Sequence, residues 1–460
     1  MIQTWILNTI YATLLVVGSP WLLWRLIKGK SRRGWGQKLL GLISPPSIES
    51  SESALAPETI WIHAVSVGEI NLLVSIIQEY RKRDPEINFA ISASTETGYD
   101  LAKAKYPECF VFFCPLDFTW AIRRVLKQLK PAALILTELE LWPNLIAVAD
   151  RFSVPVVVAN GRLGDNSARG YERLSWVLRS SFEKLSLALC QSKTYADRFV
   201  KFGCRPEVVR VTGNVKFDGV QTDRQNAATR ELVRLSGIEE SEAVFLAGST
   251  QLEEDLIAAK VFQSLASQYP DLRLVLAPRH PQRVSDLVGR LGQLGIKTEL
   301  RSVLGSHESN SLGSAGNDAA DSQLKPVLII DVIGELRAWW GRADIAYVGG
   351  SMGSREGQNM IEPAAYGIPV SFGPRTKNFE DLVTELLTNQ AATVVRDESE
   401  LSDFVRSCLD DPATAKSVGK RAQQVVLNHA GASAKTVDEI LALIRGVKAR
   451  PAKLNISDAA

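Results

Sequence analysis

Thr59-Ile60-Trp61-Ile62-His63 runs into Ala64-Val65-Ser66-Val67-Gly68-Glu69, and these eleven residues decide the architecture. The first five are β-branched or bulky with no polar alternation, the pattern of a strand buried on both faces. Small residues and Gly68 make a turn that lets the backbone come close to a neighbour or a ligand. From 69 to 83 the apolar residues fall at helical spacing. Strand, tight turn and helix in this order are the repeating unit of a parallel doubly wound sheet.

The unit recurs outward from this point. Strands are predicted over 88–92, 110–113, 132–136 and 155–159, with helices over 98–105, 119–128 and 142–150 between them. Polar residues at 221–229 interrupt the rhythm, which then restarts. Strands are predicted over 244–247, 272–277, 327–330, 345–348 and 369–372, and helices over 253–268, 282–294, 334–340 and 361–366. The expected division is an N-terminal anchor and basic segment over 1–48, a first Rossmann-like domain over 49–220 and a linker over 221–239. A second Rossmann-like domain follows over 240–430, then a C-terminal helix and tail over 431–460. Residues 302–325, rich in Ser, Gly, Asn and Ala, read as a flexible insertion. Two such halves predict a ligand cleft facing the carboxyl ends of both sheets. No G-x-G-x-x-G follows a strand and no P-loop is present, which disfavours a dehydrogenase or a P-loop NTPase.

Composition narrows the function classes. The 460 residues are 45% hydrophobic and 23% charged, ordinary for a globular protein. Lys+Arg 53 against Asp+Glu 51 leaves a net charge of +2, so no bulk positive field calls for nucleic acid. Five cysteines without a CxxC pair fit a reducing compartment better than a disulfide framework. Four histidines, none spaced as a ligand pair, argue against a metal site.

Residues 1–24 carry no charged side chain, and Arg25, Lys28, Lys30, Arg32, Arg33 and Lys38 follow with no acid among them. A secretory signal has the reverse order. The segment reads as a retained membrane anchor, spanning the bilayer or lying in its interface, with the rest of the chain on the cytoplasmic side. Pro20, Gln3, Asn8 and Thr9 weigh against spanning. Anionic headgroups would attract the basic run.

Three stretches of the first half are candidates for chemistry. Glu69 opens a helix, where the helix dipole favours its charged form and suits it to accept a proton from a hydroxyl; it also reads as an ordinary first-turn acid. Thr137-Glu138-Leu139-Glu140-Leu141-Trp142-Pro143-Asn144 closes a strand, and its two carboxylates point the same way if the strand continues. Lys216 lies in Thr212-Gly213-Asn214-Val215-Lys216-Phe217-Asp218 at the domain junction, placed to neutralise a phosphate. In the second half four strand ends offer anion partners. These are Gly248-Ser249-Thr250, then Pro278 and Arg279, then Ile333-Gly334-Glu335, and last Gly349-Gly350-Ser351 leading to Asn359, Met360, Ile361 and Glu362.

Together these motifs resemble the 3-deoxy-D-manno-octulosonic acid (Kdo) transferases of lipopolysaccharide synthesis. The resemblance runs over nearly the whole chain. It rests most on 63–69, 138–144, 213–218, 278–281 and 349–363. It implies an α/β GT-B fold: two Rossmann-like doubly wound domains facing a cleft, with an N-terminal membrane-anchor helix. It implies inverting transfer of Kdo from CMP-Kdo to a lipid A precursor at the cytoplasmic face of the inner membrane, with no cofactor and no metal. Glu69 matches the family's proton acceptor, and Glu138 and Lys216 match its transition-state stabilisers. Pro278, Arg279, Ile333, Gly334, Glu335, Asn359, Met360, Ile361 and Glu362 match its CMP-contacting segments. The chain departs from the family pattern at Gln358, where His is usual, at Met360, where Pro is usual, and at Gln251, where His is common. Glutamine keeps hydrogen bonding but carries no proton or charge. A related transferase using another activated sugar or lipid acceptor, and a catalytically silent binding or scaffold relative, are the alternative readings.

Overall fold

A computed structural model describes residues 2–27, 33–45, 58–173, 175–304 and 324–448. Most of the predicted flexible insertion, at 305–323, lies outside the described residues, as do part of the basic run at 28–32, the hinge at 46–57 and the tail from 449. The chain forms two compact units, residues 1–218 with 430–460, and residues 219–429.

The first unit holds seven parallel strands: β1 (Thr59–His63), β2 (Asn88–Ala93), β3 (Phe110–Phe113), β4 (Ala133–Thr137), β5 (Val156–Gly161), β6 (Leu187–Cys190) and β7 (Val209–Val211). Their order is β3-β2-β1-β4-β5-β6-β7, so the winding reverses between β1 and β4. Side chains alternate across the sheet. Ile60 and Ile62 pack on one face and Trp61 on the other, all of them buried. That double burial is why these strands read as unbroken apolar runs.

The second unit repeats the plan with β8 (Ala243–Thr250), β9 (Leu272–Pro278), β10 (Thr298–Leu300), β11 (Val327–Ile329), β12 (Ile345–Val348), β13 (Val370–Phe372) and β14 (Ala392–Val394). The order is β10-β11-β9-β8-β12-β13-β14, reversing between β8 and β12.

The domain division differs from the sequence reading. Residues 221–239 are not a free linker but lie within the second unit. There the helix Ala227–Ser236 is tied down by the Thr229 hydroxyl, which donates to Ala338 O at 2.8 Å. Residues 431–448 are not an appendage. The helix Ala432–Lys448 returns to the first sheet and buries Val437, Ile440, Leu441 and Ile444 in the core layer that contains Ile60 and Ile62.

The apolar N-terminal segment is a helix, Ile2–Ile27, docked on the first unit through its polar side chains. Asn8 Nδ2 donates to Thr119 Oγ1 at 2.8 Å, and Asn8 Oδ1 accepts from Asn144 Nδ2 at 3.1 Å. Tyr11 OH donates to Asp117 at 3.1 Å. Trp5, Leu14, Val16 and Val17 face outward, each 63–73% exposed. Among the described residues no helix is long and apolar enough to cross a membrane.

Candidate active site

Ligands of open parallel sheets sit where the winding reverses, at the carboxyl ends of the strands. In the first unit that point lies between β1 and β4, and the candidate residues gather there. Ser66 caps the helix Val67–Arg83, accepting from Glu69 N at 3.4 Å. Glu69 answers with both oxygens. Oε1 accepts from the Ser66 hydroxyl at 3.0 Å; Oε2 accepts from Val65 N at 3.0 Å and from the Thr137 hydroxyl at the end of β4. This differs from a capping box in that the Glu69 carboxylate takes Val65 N, one residue before the N-cap, and reaches a second strand. The side chain is 8% exposed. Its Oε1 keeps one acceptor position unused, whereas Oε2 has both occupied. The first-turn reading of Glu69 is therefore realised, with one oxygen left to accept a proton.

Strand β4 ends at Thr137, and Glu138 turns into the left-handed region at φ 53. The two carboxylates after the strand consequently do not follow an extended alternation. Glu138 Oε1 meets Lys216 Nζ at 3.0 Å, joining two of the predicted residues across 78 positions of sequence. Lys216 sits on a 3₁₀ turn, Val215–Phe217, whose side chains Val215 and Phe217 are buried. Asn214 Oδ1 accepts from Lys216 N, and the buried Asn160 Oδ1 accepts from Val215 N, both at 3.0 Å. The ammonium therefore extends from a fixed base.

Glu140 accepts from Trp142 Nε1 at 2.9 Å. Burial, then the charge of Glu69, and to a smaller degree Glu138, push its carboxyl up to about 7 against that hydrogen bond. Three carboxylates thus share one neighbourhood with a single lysine. The closeness of Glu140 to Glu69 depends on β1 and β4 being neighbours, which no local pattern announces. His63 is buried against Ser92, and burial lowers it to about 4, so the ring is neutral at pH 7.

In the second unit the reversal point lies between β8 and β12. A Cβ on Gly349 would come 2.5 Å from the Thr250 Cα, so only glycine lets the two strand ends approach this closely. Glu254, which the sequence reading passed over, holds the loop that follows. Its Oε2 accepts from Gln251 N at 2.8 Å and Gly350 N at 2.7 Å. Its Oε1 accepts from Ser351 N and Met352 N at 3.0 Å and from Tyr347 OH at 2.9 Å.

Arg279 follows β9, its backbone N–H donating to Thr250 O at 3.0 Å. His280 beside it is lowered by burial and then by Arg283, Arg355 and Arg279. All three guanidiniums are close enough to His280 to disfavour its charged form, and none has an ion-pair partner among the described residues. Arg283 lies four positions after Arg279, whereas Arg355 is brought in by the fold. Asn359 Oδ1 caps Ile361 N at 3.1 Å, and burial raises the neighbouring Glu362. Met360 and Ile361 are buried, so any ligand contact there falls to their backbone. Ile333 is 81% exposed beside Gly334, and Pro278 ends β9 half-buried. Glu335 is engaged by Arg301 in a bidentate pair at 2.8 and 2.9 Å.

The chain is similar to known proteins along most of its length. Residues 33–219 match the family model described as 3-Deoxy-D-manno-octulosonic-acid transferase (kdotransferase). The 3-deoxy-D-manno-octulosonic acid transferase of Haemophilus influenzae is 29% identical over 83% of this chain and 86% of its own length. That of Bordetella pertussis is 28% identical over 93% and 97%. Among solved structures, UDP-GlcNAc 2-epimerase from Neisseria meningitidis superposes with a TM-score of 0.56 at 13% identity, covering 84% of this chain and 100% of that one, a likeness of fold alone. With two doubly wound parallel-sheet units, the chain is similar along most of its length to the 3-deoxy-D-manno-octulosonic acid transferases.

Proposed function

We propose that the chain is an inverting glycosyltransferase that moves Kdo from CMP-Kdo to a lipid A precursor. The carrying observation is the assembly of Glu69, Glu138 and Lys216 at the winding reversal of the domain that matches the kdotransferase model. The acceptor hydroxyl gives its proton to Glu69 Oε1 as its oxygen forms a bond to the anomeric carbon. The bond from that carbon to the phosphate oxygen breaks, and CMP leaves with the electron pair. Arg279, Arg283 and Arg355 hold the departing phosphate, and Asn359 and Glu362 take the ribose hydroxyls. Lys216, fixed by Glu138, offers positive charge where negative charge develops.

The outward apolar side chains of the N-terminal helix support placement in the bilayer interface, on the cytoplasmic face, where the lipid acceptor is found. This departs from a spanning anchor, because Asn8 and Tyr11 are used in docking rather than immersed in lipid.

Incubation with labelled CMP-Kdo and a tetraacylated lipid A precursor, followed by mass analysis of the lipid, tests the reading. A mass gain of Kdo is expected; its absence overturns the assignment. Glu69→Gln lowers kcat at least ~10²-fold, the low end for loss of a general base. A near-wild-type rate removes Glu69 from the mechanism. The alternative of another activated sugar rests on Gln358 and Met360 in the donor unit. Turnover of a different nucleotide sugar with none from CMP-Kdo would establish it.

A further inference from the structure

A groove of about 1050 Å³ runs along the first unit between the N-terminal helix and the helix Thr119–Leu129. Its two walls differ in kind. The N-terminal helix contributes Trp5, Ala12, Val16 and Val17, with Thr4, Asn8, Thr9 and Thr13 between them. The opposite wall contributes Arg123, Arg124 and Lys127, joined by Arg151 at the end of the helix Pro143–Arg151. No acidic residue lines the groove. Arg124 donates to Leu40 O at 2.7 Å, while Arg123, Lys127 and Arg151 have no ion-pair partner among the described residues. All four cations are exposed. None of Glu69, Glu138, Glu140 or Lys216 lines the groove.

A wall that presents Trp5, Val16 and Val17 among small polar residues, facing a row of unpaired cations, is complementary to an amphiphile with an anionic head. A soluble phosphate has no use for Trp5, Val16 and Val17, and a neutral lipid has none for Arg123, Lys127 and Arg151. We propose that this groove seats an anionic glycerophospholipid of the bilayer, its phosphate against Arg123, Lys127 and Arg151 and an acyl chain along the exposed face of the N-terminal helix. The inference deepens the interfacial placement proposed above and rests on it. It moves the lipid-reading cations from the run after the anchor to the Thr119–Leu129 helix. One lipid then clamps the N-terminal helix to the domain and sets the depth at which the domain rides on the membrane.

The test is co-sedimentation of the full chain with vesicles of phosphatidylcholine alone or doped with phosphatidylglycerol. Wild type partitions more strongly onto the doped vesicles. Each exposed cation removed should cost roughly fivefold, so the double variant Arg123→Gln/Lys127→Gln loses about 30-fold on doped vesicles and nothing on phosphatidylcholine. Equal binding of wild type and variant to doped vesicles overturns the proposal, as does indifference of wild type to vesicle charge. Transfer to acceptor dispersed in detergent, assayed in parallel, separates the two readings. An unchanged rate in the double variant supports a bilayer lipid. A rate lowered as far as the vesicle binding makes the groove part of the acceptor's own site and overturns it. Failure of wild type to transfer Kdo would sink the transferase reading and leave the vesicle result standing.

Discussion

Replacing Glu254 by glutamine changes one atom and leaves the volume of the side chain intact, so it isolates what the carboxylate does for the donor unit. The two oxygens accept five hydrogen bonds, four from backbone N–H groups and one from Tyr347. Glutamine keeps one acceptor oxygen and puts an NH₂ in place of the other. If the NH₂ replaces Oε2, Gln251 N and Gly350 N lose their acceptor. If it replaces Oε1, Ser351 N and Met352 N do. At least two buried donors are stranded in either orientation. An unsatisfied buried donor costs about 1–3 kcal/mol, so Glu254→Gln destabilises by roughly 2–6 kcal/mol. Because the stranded groups belong to Gly350, Ser351 and Met352, the loss is concentrated in the loop after β12. Two measurements check this. Urea unfolding of the full chain reads the stability, and titration calorimetry with CMP reads the loop. The expected outcome is a lower unfolding midpoint with weakened CMP binding. A stability loss under about 1 kcal/mol with unchanged CMP binding would refute the claim that Glu254 shapes this loop.

Three further outcomes follow from the geometry. Glu138→Gln and Lys216→Ala, combined in a double-mutant cycle, should show a coupling of only about 0.5–1 kcal/mol in stability, since the pair is about a third exposed, but strongly non-additive losses in kcat. Additive rate losses would mean that the two residues act separately. Asp117 is nearly fully buried, and burial raises it from 3.8 to about 7 against bonds from Asn144 N, Leu145 N and Tyr11. The folded protein therefore holds a proton that the unfolded chain releases, and stability from this group falls as pH rises from about 4 to about 7. Thermal melts across that window should show the decline, and Asp117→Asn should make it shallower while Glu140 and Asp255, also raised by burial, keep part of it. Truncation after His429 removes the four buried core side chains Val437, Ile440, Leu441 and Ile444, a gross loss of about 6–12 kcal/mol at 1.5–3 kcal/mol per residue. Because whole domains are stable by only about 5–15 kcal/mol, circular dichroism should show the first unit largely unfolded.

The core strands were legible because parallel strands are buried on both faces and write themselves as apolar runs. Thr59–His63 and Ile345–Val348 match the predicted ranges residue for residue. Leu187–Cys190 was missed although it is an apolar run buried throughout, because no turn or helix pattern around it was recognised; the other missed strands carry weaker signals. Thr298–Leu300 and Ala392–Val394 are three-residue edge strands, mixed in polarity and only partly buried. Val209–Val211 has Arg210 at its centre. The site was legible where a motif is local, as at Glu69 and Glu138. It was not legible where distant residues converge. In sequence, Glu254 is one of three acids opening a helix and looks like dipole decoration. Only its partner Gly350, 96 positions away, shows what it does. Arg355 comes near His280 and Arg279 by the same long-range route, whereas Arg283 lies only four positions along the chain from Arg279.

The Ala432–Lys448 helix has a consequence for how the protein is made. The first unit is written in two instalments, with the whole second unit between them. The Asp218 carboxylate fastens the seam, accepting from Gly431 N and Ser433 N. A ribosome has therefore released the complete second unit before the first possesses its last helix. Until residues 432–448 have been made, the growing chain carries an uncovered greasy sheet face in its first unit while the second is already complete. That interval, rather than any weakness of the mature protein, is when chaperones are needed most.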